Sequence, residues 1–387
     1  MNKRIIYMDY NATTPVDYRV RDAMLPYFCE VFGNPSSVHT IGRQARVCLD
    51  EARSRAAEIL GCNPLEITFT SGGTESNNLA IIGTARKMRE RGKHIITSAI
   101  EHHAVLCCCE YLAKHEGFEL TILPVDSSGL VDPDAVKKAI RHDTILVSIM
   151  AANNEIGTIQ PIKEIGNICR QHGVIFHTDA VQFFGKEGFE KITDLNADLV
   201  SICAHKIHGP KGAGLLYTRS PLKPMPIIFG GSHENKLRAG TENLPAIMGF
   251  VKAMELFLKP PVFDRNQIQP LADRVINLIN NLDGVRFRGS PVNRLCNTVA
   301  FTVNGVESEV IIAGLDIEGI CVSGGAACST GALLASHVIT ALGSPSDARS
   351  LVRISLGREN TMEDIAHLEK VLPSVIRRAR IHAKKFV

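Results

Sequence analysis

Asp198-Leu199-Val200-Ser201-Ile202-Cys203-Ala204-His205-Lys206-Ile207-His208-Gly209-Pro210-Lys211-Gly212 is the stretch that decides how this chain folds. Its first six residues read as an apolar strand, and Gly214-Leu215-Leu216-Tyr217-Thr218 reads as another. Lys206 therefore falls in a tight strand–loop–strand corner and not on a solvated helix face. Flanked by His205, His208 and a Gly-Pro turn, its amine is expected to be partly desolvated. Desolvation lowers a lysine's pKa and exposes its lone pair, which makes a Schiff-base nucleophile. A basic surface turn is the simpler reading of one lysine in such a loop, and the rest of the chain decides between the two.

Outward from this corner, runs rich in Ile and Val recur at 66–70, 94–99, 119–125, 144–150 and 174–177. Helical patterns lie between them or beside them, at 38–60, 79–88, 103–115, 133–140 and 162–172. Gly61 follows the first of these as a C-cap would. Alternation of this kind predicts an α/β fold with a mostly parallel sheet covered on both faces. Ligands on such sheets bind beyond the C-terminal ends of the strands.

The polar clusters fall at those ends. Gly72-Gly73-Thr74 follows the strand at 66–70 and opens a helix, which makes an anion site through backbone N–H groups and the helix dipole. An ordinary capped helix would look the same. Glu101-His102-His103, Asn153-Asn154-Glu155, Thr178-Asp179-Ala180-Val181-Gln182 and His205-Lys206 follow four further strands. Asp179, close after an apolar strand, is a poorly hydrated carboxylate that needs a cation, such as a protonated ring nitrogen. His102 offers a planar face for stacking, Lys206 an amine, and Gly73-Thr74 an anion site. An aromatic ring with a basic nitrogen, an aldehyde and a phosphate satisfies all four, and pyridoxal 5'-phosphate is that ligand.

At 387 residues the chain exceeds one ordinary core, so a large α/β domain at 1–262 and a smaller α+β domain at 263–387 are expected. The N-terminal arm, with its turn-rich MDYNATTP and GNPSS, reads as loops that wrap over other elements and can join the small domain. A helix at 271–282 and strands at 285–287, 297–303 and 351–357 build the small domain. Arg353, on the last of these, suits bidentate clamping of a carboxylate; a snorkelling arginine at a strand edge is the alternative. Segment 321–332 is rich in Gly and Ala and carries Cys328 at its middle, as an incidental thiol or a reactive one.

Net charge of +3 gives no electrostatic case for nucleic acid, and no apolar run is long enough to span a bilayer. The N-terminus turns polar too soon for a signal peptide. Eleven cysteines without regular spacing point to reduced thiols, hence a cytoplasmic protein, and no C-x-x-C pair supports a metal site.

Read together, MDYNATTP, GNPSS, SGGTESNN, EHHAV, NNEIG, HTDAVQ, AHKIHGPKG, RAGTEN and VRISLGR make the sequence resemble the cysteine desulfurases. These are fold-type I pyridoxal-phosphate enzymes related to the class V aminotransferases. The resemblance covers nearly the whole chain. It implies a fold-type I transferase with a seven-stranded sheet in the large domain, acting as a homodimer. It implies Lys206 as the Schiff-base lysine and proton shuttle, Asp179 on the pyridine nitrogen, Gln182 on the ring hydroxyl and His102 stacked on the ring. Gly73, Thr74, Cys203 and His205 would surround the phosphate, with Thr241 reaching it from the other subunit. Asn154 and Arg353 would grip the substrate carboxylate. Cys328 would take sulfur from L-cysteine as a persulfide, releasing alanine, and a moving loop would carry it to a protein acceptor such as an iron–sulfur scaffold. A selenocysteine lyase or cysteine sulfinate desulfinase of the same fold is the nearest alternative, and a non-catalytic sulfur-carrier docking scaffold is one of another class. The chain departs from the common pattern at Cys203, where serine is usual, at Gly231-Ser232-His233, at Leu333 to Ser336, and at Cys296, where proline is usual.

Overall fold

Runs of Ile, Val and Leu bounded by turn residues become strands wherever both faces can be covered. The computed structural model describes residues 4–325 and 335–383. Its main sheet has seven strands: β2 (Ile67–Thr70), β3 (His94–Ser98), β4 (Glu119–Leu123), β5 (Thr144–Ser148), β6 (Ile175–Asp179), β7 (Leu199–Cys203) and β8 (Gly214–Thr218). Their order is β2-β8-β7-β6-β5-β3-β4. Every residue of β3, β5, β7 and β8 is buried, as continuous apolar runs require, whereas the edge strand β4 is largely open. Neighbours from β7 through β4 are parallel. Strand β8 runs against both β7 and β2, so β2 shares the sense of the parallel strands. The C-terminal ends of five strands that carry polar clusters therefore meet along one rim.

The helix Thr40–Leu60 begins at His39, whose side chain accepts from the Gly42 N–H, and ends at Gly61 in the left-handed conformation (φ 66°). The helix after β2 starts earlier than expected, at Gly73, and continues to Lys87 through a π-helical turn over Leu79–Gly83. In the C-terminal part, Arg265–Asn280 starts six residues before the expected helix, capped by Asp264, with Pro270 inside it. Pro270 is the sixth residue of that helix, past the positions whose N–H lacks an intrahelical partner, so one backbone bond is forgone there, and in a sequence it reads as a break.

A second, antiparallel sheet has the order β12-β10-β9, with β9 Val285–Arg288, β10 Thr298–Val303 and β12 Leu351–Ser355. The N-terminal arm contributes a two-residue strand, β1 (Ile6–Tyr7), parallel to β11 (Ile320–Cys321). It then bonds to β12, with the Tyr10 N–H donating to the Ser355 carbonyl at 3.1 Å, before Thr14 donates to the His205 carbonyl at 3.0 Å. The arm thus spans from the second sheet to the Lys206 corner. No helix among the described residues is long and apolar enough to cross a membrane.

The edge strand β2 is pinned to the loop near residue 234. Glu234 is buried, ion-paired to Arg53, and accepts from the Phe69 N–H at 2.8 Å. Arg53 donates in turn to the Ile67 carbonyl at 2.7 Å. Breaking a buried pair from one side leaves an uncompensated charge, so Glu234→Ala should lower stability by about 3–5 kcal/mol in denaturant unfolding. A loss below about 1 kcal/mol would mean that this pair is not what holds the loop.

Candidate active site

The rim of strand ends encloses a cavity of ≈ 160 Å³, lined by Asn11, Gly73, Thr74, Asn77, His102, Asn154, Asp179, Gln182, Cys203, His205, Lys206 and Arg353 among others. Each position follows from its element. Lys206 closes a single 3-10 turn, Ala204–Lys206, directly after β7. Its Nζ donates to the Asn11 carbonyl at 2.6 Å and the Ala12 carbonyl at 2.7 Å, so the arm holds the amine. It is half-buried, in the corner and not on a solvated turn.

Asp179 is the last residue of β6 and not, as the sequence reading placed it, beyond the strand; it is buried. Its Oδ2 accepts from Asn77 Nδ2 at 2.6 Å and its Oδ1 from the Val181 N–H at 3.0 Å. Among the described residues it forms no ion pair within 4 Å. A buried carboxylate without a cation is costly, so the donor set invites a positively charged ligand atom.

His102 caps the helix His103–Glu116, its Nδ1 accepting from the Ala104 N–H at 3.1 Å. That bond puts the proton of the neutral ring on Nε2. Burial lowers its pKa, against an opposing pull from Asp179. His205, with Nδ1 3.1 Å from Thr13 Oγ1, is pushed down to about 4 by burial and by Lys206. Both imidazoles are therefore neutral near pH 7. Burial pushes the Cys203 thiol up to about 11, so it faces the cavity protonated.

Gly73 opens its helix against the turn after β6. A Cβ there would come within 2.7 Å of Val181 Cγ2, so the close approach of backbone N–H groups to the cavity requires glycine. Thr74 follows on the exposed first turn. Arg353 is buried, with Nη2 on Asp9 Oδ1 at 2.7 Å and Nη1 on the Asn154 carbonyl at 2.8 Å, while its Nε has no hydrogen-bond partner among the described residues. It does not snorkel. Thr241 is exposed and does not line this cavity. Cys328 lies outside the described residues.

Four contributors escaped the sequence reading. Asn77 lies one helical turn beyond Gly73, and this i, i+4 relation was its available signal. Asn11 acts mainly through its carbonyl, which no side-chain pattern reveals. Glu101 was visible only as one of a polar cluster; it is fully buried, with Oε1 accepting from Ser98 Oγ at 2.6 Å and the Met150 N–H at 2.9 Å. Lys186 follows Gln182 by four residues and is buried beneath it.

The arrangement offers a carboxylate for a cationic ring, two neutral imidazoles, an amine, a helix start for an anion and a guanidinium. A flat heteroaromatic aldehyde phosphate fits that donor set. Groups of three or more His, Cys, Asp or Glu side chains placed to hold a metal do not occur among the described residues.

The Aminotransferase class-V family model matches residues 6–368. The chain is 48% identical over 378 residues to cysteine desulfurase IscS of Methanosarcina thermophila, covering 97% of this chain and 93% of that one. It is 48% identical over 380 residues to cysteine desulfurase IscS of Dictyoglomus turgidum, covering 98% and 96%. Among solved structures, a NifS-like protein matches with TM-score 0.89 at 36% identity, over 97% of this chain and all (100%) of that one. SspA in complex with cysteine matches with TM-score 0.80 at 39% identity, over 92% and 100%.

Burial raises the Glu101 carboxyl to about 8. A carboxyl raised on folding stabilises the native state while it stays protonated, and that contribution is lost as pH rises from about 4.5 through about 8. Between those limits the slope approaches roughly 1.4 kcal/mol per pH unit. Urea midpoints of the wild type should therefore fall between pH 6 and pH 8, and those of Glu101→Gln should fall less. Equal slopes in the two proteins would show that Glu101 is ionised throughout.

Proposed function

We propose, for a chain that belongs to the Aminotransferase class-V family and is a cysteine desulfurase, that the cavity between Asp179 and Lys206 holds pyridoxal 5'-phosphate and takes L-cysteine. The observation that carries this reading is the buried Asp179 carboxylate, with no cation of the described chain against it, in one cavity with the Lys206 amine. When bound, the cofactor supplies an electron sink for bonds at the substrate's α and β carbons.

The chain's own residues divide the remaining work. Asp179 would hold the positive ring nitrogen and Gln182 the ring oxygen, with His102 offering its planar face to the ring. Gly73, Thr74, His205 and Cys203 would receive the phosphate, and Thr241 of a second copy would complete that contact in a homodimer. The thiol of Cys203 is a weak donor, so the backbone and His205 carry more of the anion's charge. Arg353 and Asn154 orient the substrate carboxylate, with Arg353 already aligned by Asp9. Lys206 releases the Asn11 and Ala12 carbonyls to move a proton at the substrate α-carbon. The Cys328 thiolate takes the sulfur, forming an S–S bond as the C–S bond breaks, and alanine leaves. The persulfide then passes to an acceptor protein of iron–sulfur cluster or thio-cofactor assembly. We place the large domain at 1–262 with the small domain at 263–387, the arm packing on the latter, in a cytoplasmic enzyme.

Cys328→Ala should keep the cofactor's absorbance and lose cysteine turnover, with no persulfide by mass spectrometry of the loaded protein. Full turnover by this variant would remove Cys328 from the reaction. Retained activity on selenocysteine or cysteine sulfinate alone would favour the lyase alternative for those substrates.

Arg353→Met should raise KM for cysteine by about 10- to 100-fold, the worth of a charge-assisted hydrogen bond of ~1.5–3 kcal/mol. An unchanged KM in a folded variant would make Arg353 a purely structural partner of Asp9.

A further inference from the structure

Lys186 is a buried amine with no part in the chemistry above. It sits four residues after Gln182 in the turn that leaves β6. Its Nζ donates to Gln182 Oε1 at 2.5 Å and to Asn11 Oδ1 at 2.6 Å. Among the described residues no carboxylate lies within ion-pair distance of it. Its charged and titratable neighbours are Lys206, Arg353, Cys203 and Cys296, and burial beside those two cations holds its amine well below the ordinary lysine value. The inference does not turn on its charge. An ammonium carries three hydrogens and a neutral amine two, and either can donate to both oxygens.

The consequence falls on Gln182. A carboxamide has one acceptor oxygen and one donor nitrogen, and its orientation is set by what surrounds it. With Lys186 on the oxygen, the nitrogen is the end left for the cavity. One of its two hydrogens goes to the Asn11 carbonyl at 2.9 Å. The other has no partner among the described residues, and Gln182 lines the cavity. The same Asn11 carbonyl accepts from Lys206, so Lys186, Gln182, Asn11 and Lys206 form one connected set.

We propose that Lys186 is a positioning residue: by taking the amide oxygen of Gln182 it fixes the flip of that side chain, so that Gln182 presents an N–H donor, and not an acceptor, to the ring oxygen of the cofactor. This rests on the cofactor reading above. A donor at that position favours the deprotonated ring oxygen, and an acceptor there would oppose it. A lysine that served only to fill space would affect ligands with and without the ring oxygen alike.

That difference sets the test. The full-length protein is stripped of cofactor, and dissociation constants are measured by fluorescence for pyridoxal 5'-phosphate and for its 3-deoxy analogue, which lacks the ring oxygen. The wild type should prefer pyridoxal phosphate. In Lys186→Met the preference should shrink by about 10-fold or more, the range for a hydrogen bond to a charged group, through weaker binding of pyridoxal phosphate alone. Gln182→Glu, which keeps an acceptor for Lys186 but removes the N–H, should lose the preference as well. It carries the test if Lys186→Met does not fold. An undiminished preference in either folded variant overturns the proposal. Equal binding of the two ligands by the wild type does the same while leaving the cofactor reading intact. Failure of the wild type to bind pyridoxal phosphate at all would overturn the cofactor reading, and this proposal with it.

Discussion

A carboxylate buried at the end of a central strand has to be matched by positive charge, and among the described residues Asp179 is matched by hydrogen bonds and by no ion pair. Asn77 and the Val181 N–H hold its two oxygens. Those bonds orient the group without neutralising it. Leaving a buried charge without its counter-charge costs about 3–5 kcal/mol, so a cationic ligand atom recovers much of that when it arrives. Binding is then coupled to folding, because a ligand that binds only the native state stabilises it by mass action. The sheet makes this arrangement possible. Five strand ends reach one rim because β8 reverses direction and leaves β2 parallel to the rest. Asp179, Lys206, His102, Asn154 and the Gly73 helix start are thereby gathered from positions spread over more than 100 residues.

The N-terminal arm completes what the sheet begins. Its strand β1 pairs with β11, and its next residues bond to β12 in the second sheet. Asn11 then serves both sides at once. Its side chain meets Thr298 at 2.9 Å on the second sheet and Lys186 in the turn after β6 of the first, while its carbonyl receives Lys206 and Gln182. Arg353 makes the second such tie, from β12 to Asp9 of the arm and to the Asn154 carbonyl in the loop after β5. The cavity wall is therefore a joint between two sheets, and shifts between them would be felt at the amine and the guanidinium together.

How far the sequence reveals this depends on which force sets each feature. The strands were legible because residues buried on both faces leave continuous apolar runs, as in Leu199–Cys203 and Gly214–Thr218, whose bounds match. Helix starts were less so. The helical pattern after β2 is expected at 79–88, whereas the helix begins at Gly73, where close packing on Val181 requires glycine. Pro270, which reads as a break in a sequence, lies inside the helix that starts six residues before the expected 271. Asp179, Gln182, His102, His205, Asn154 and Arg353 were legible as polar residues at strand ends or on a rigid strand, and the structure brings them to one cavity. The Asp9–Arg353 pair and the Asn11 contacts were not, since they join residues 344 and 195 positions apart and one of them uses a backbone carbonyl. No local pattern encodes a partner at that distance.

The thiols bear on the proposed reaction through their access to the cavity and their protonation. A sulfur acceptor must be a thiolate and must reach the substrate. Of the ten cysteines among the described residues, Cys203 alone lines the cavity. Its thiol is pushed up to about 11 and stays protonated at neutral pH. Cys108 and Cys169 are raised to about 12 and Cys296 to about 11, again by burial, so they behave as small hydrophobes. Cys29 and Cys107 are exposed, but on helices that do not line the cavity. The proposed acceptor, Cys328, lies outside the described residues, in a stretch whose sequence is rich in Gly and Ala. Ser336 donates to the buried Glu155 at 2.6 Å, and Glu155 belongs to the loop after β5 that also carries Asn154. Ser336 is thus tied to the loop whose Asn154 lines the cavity.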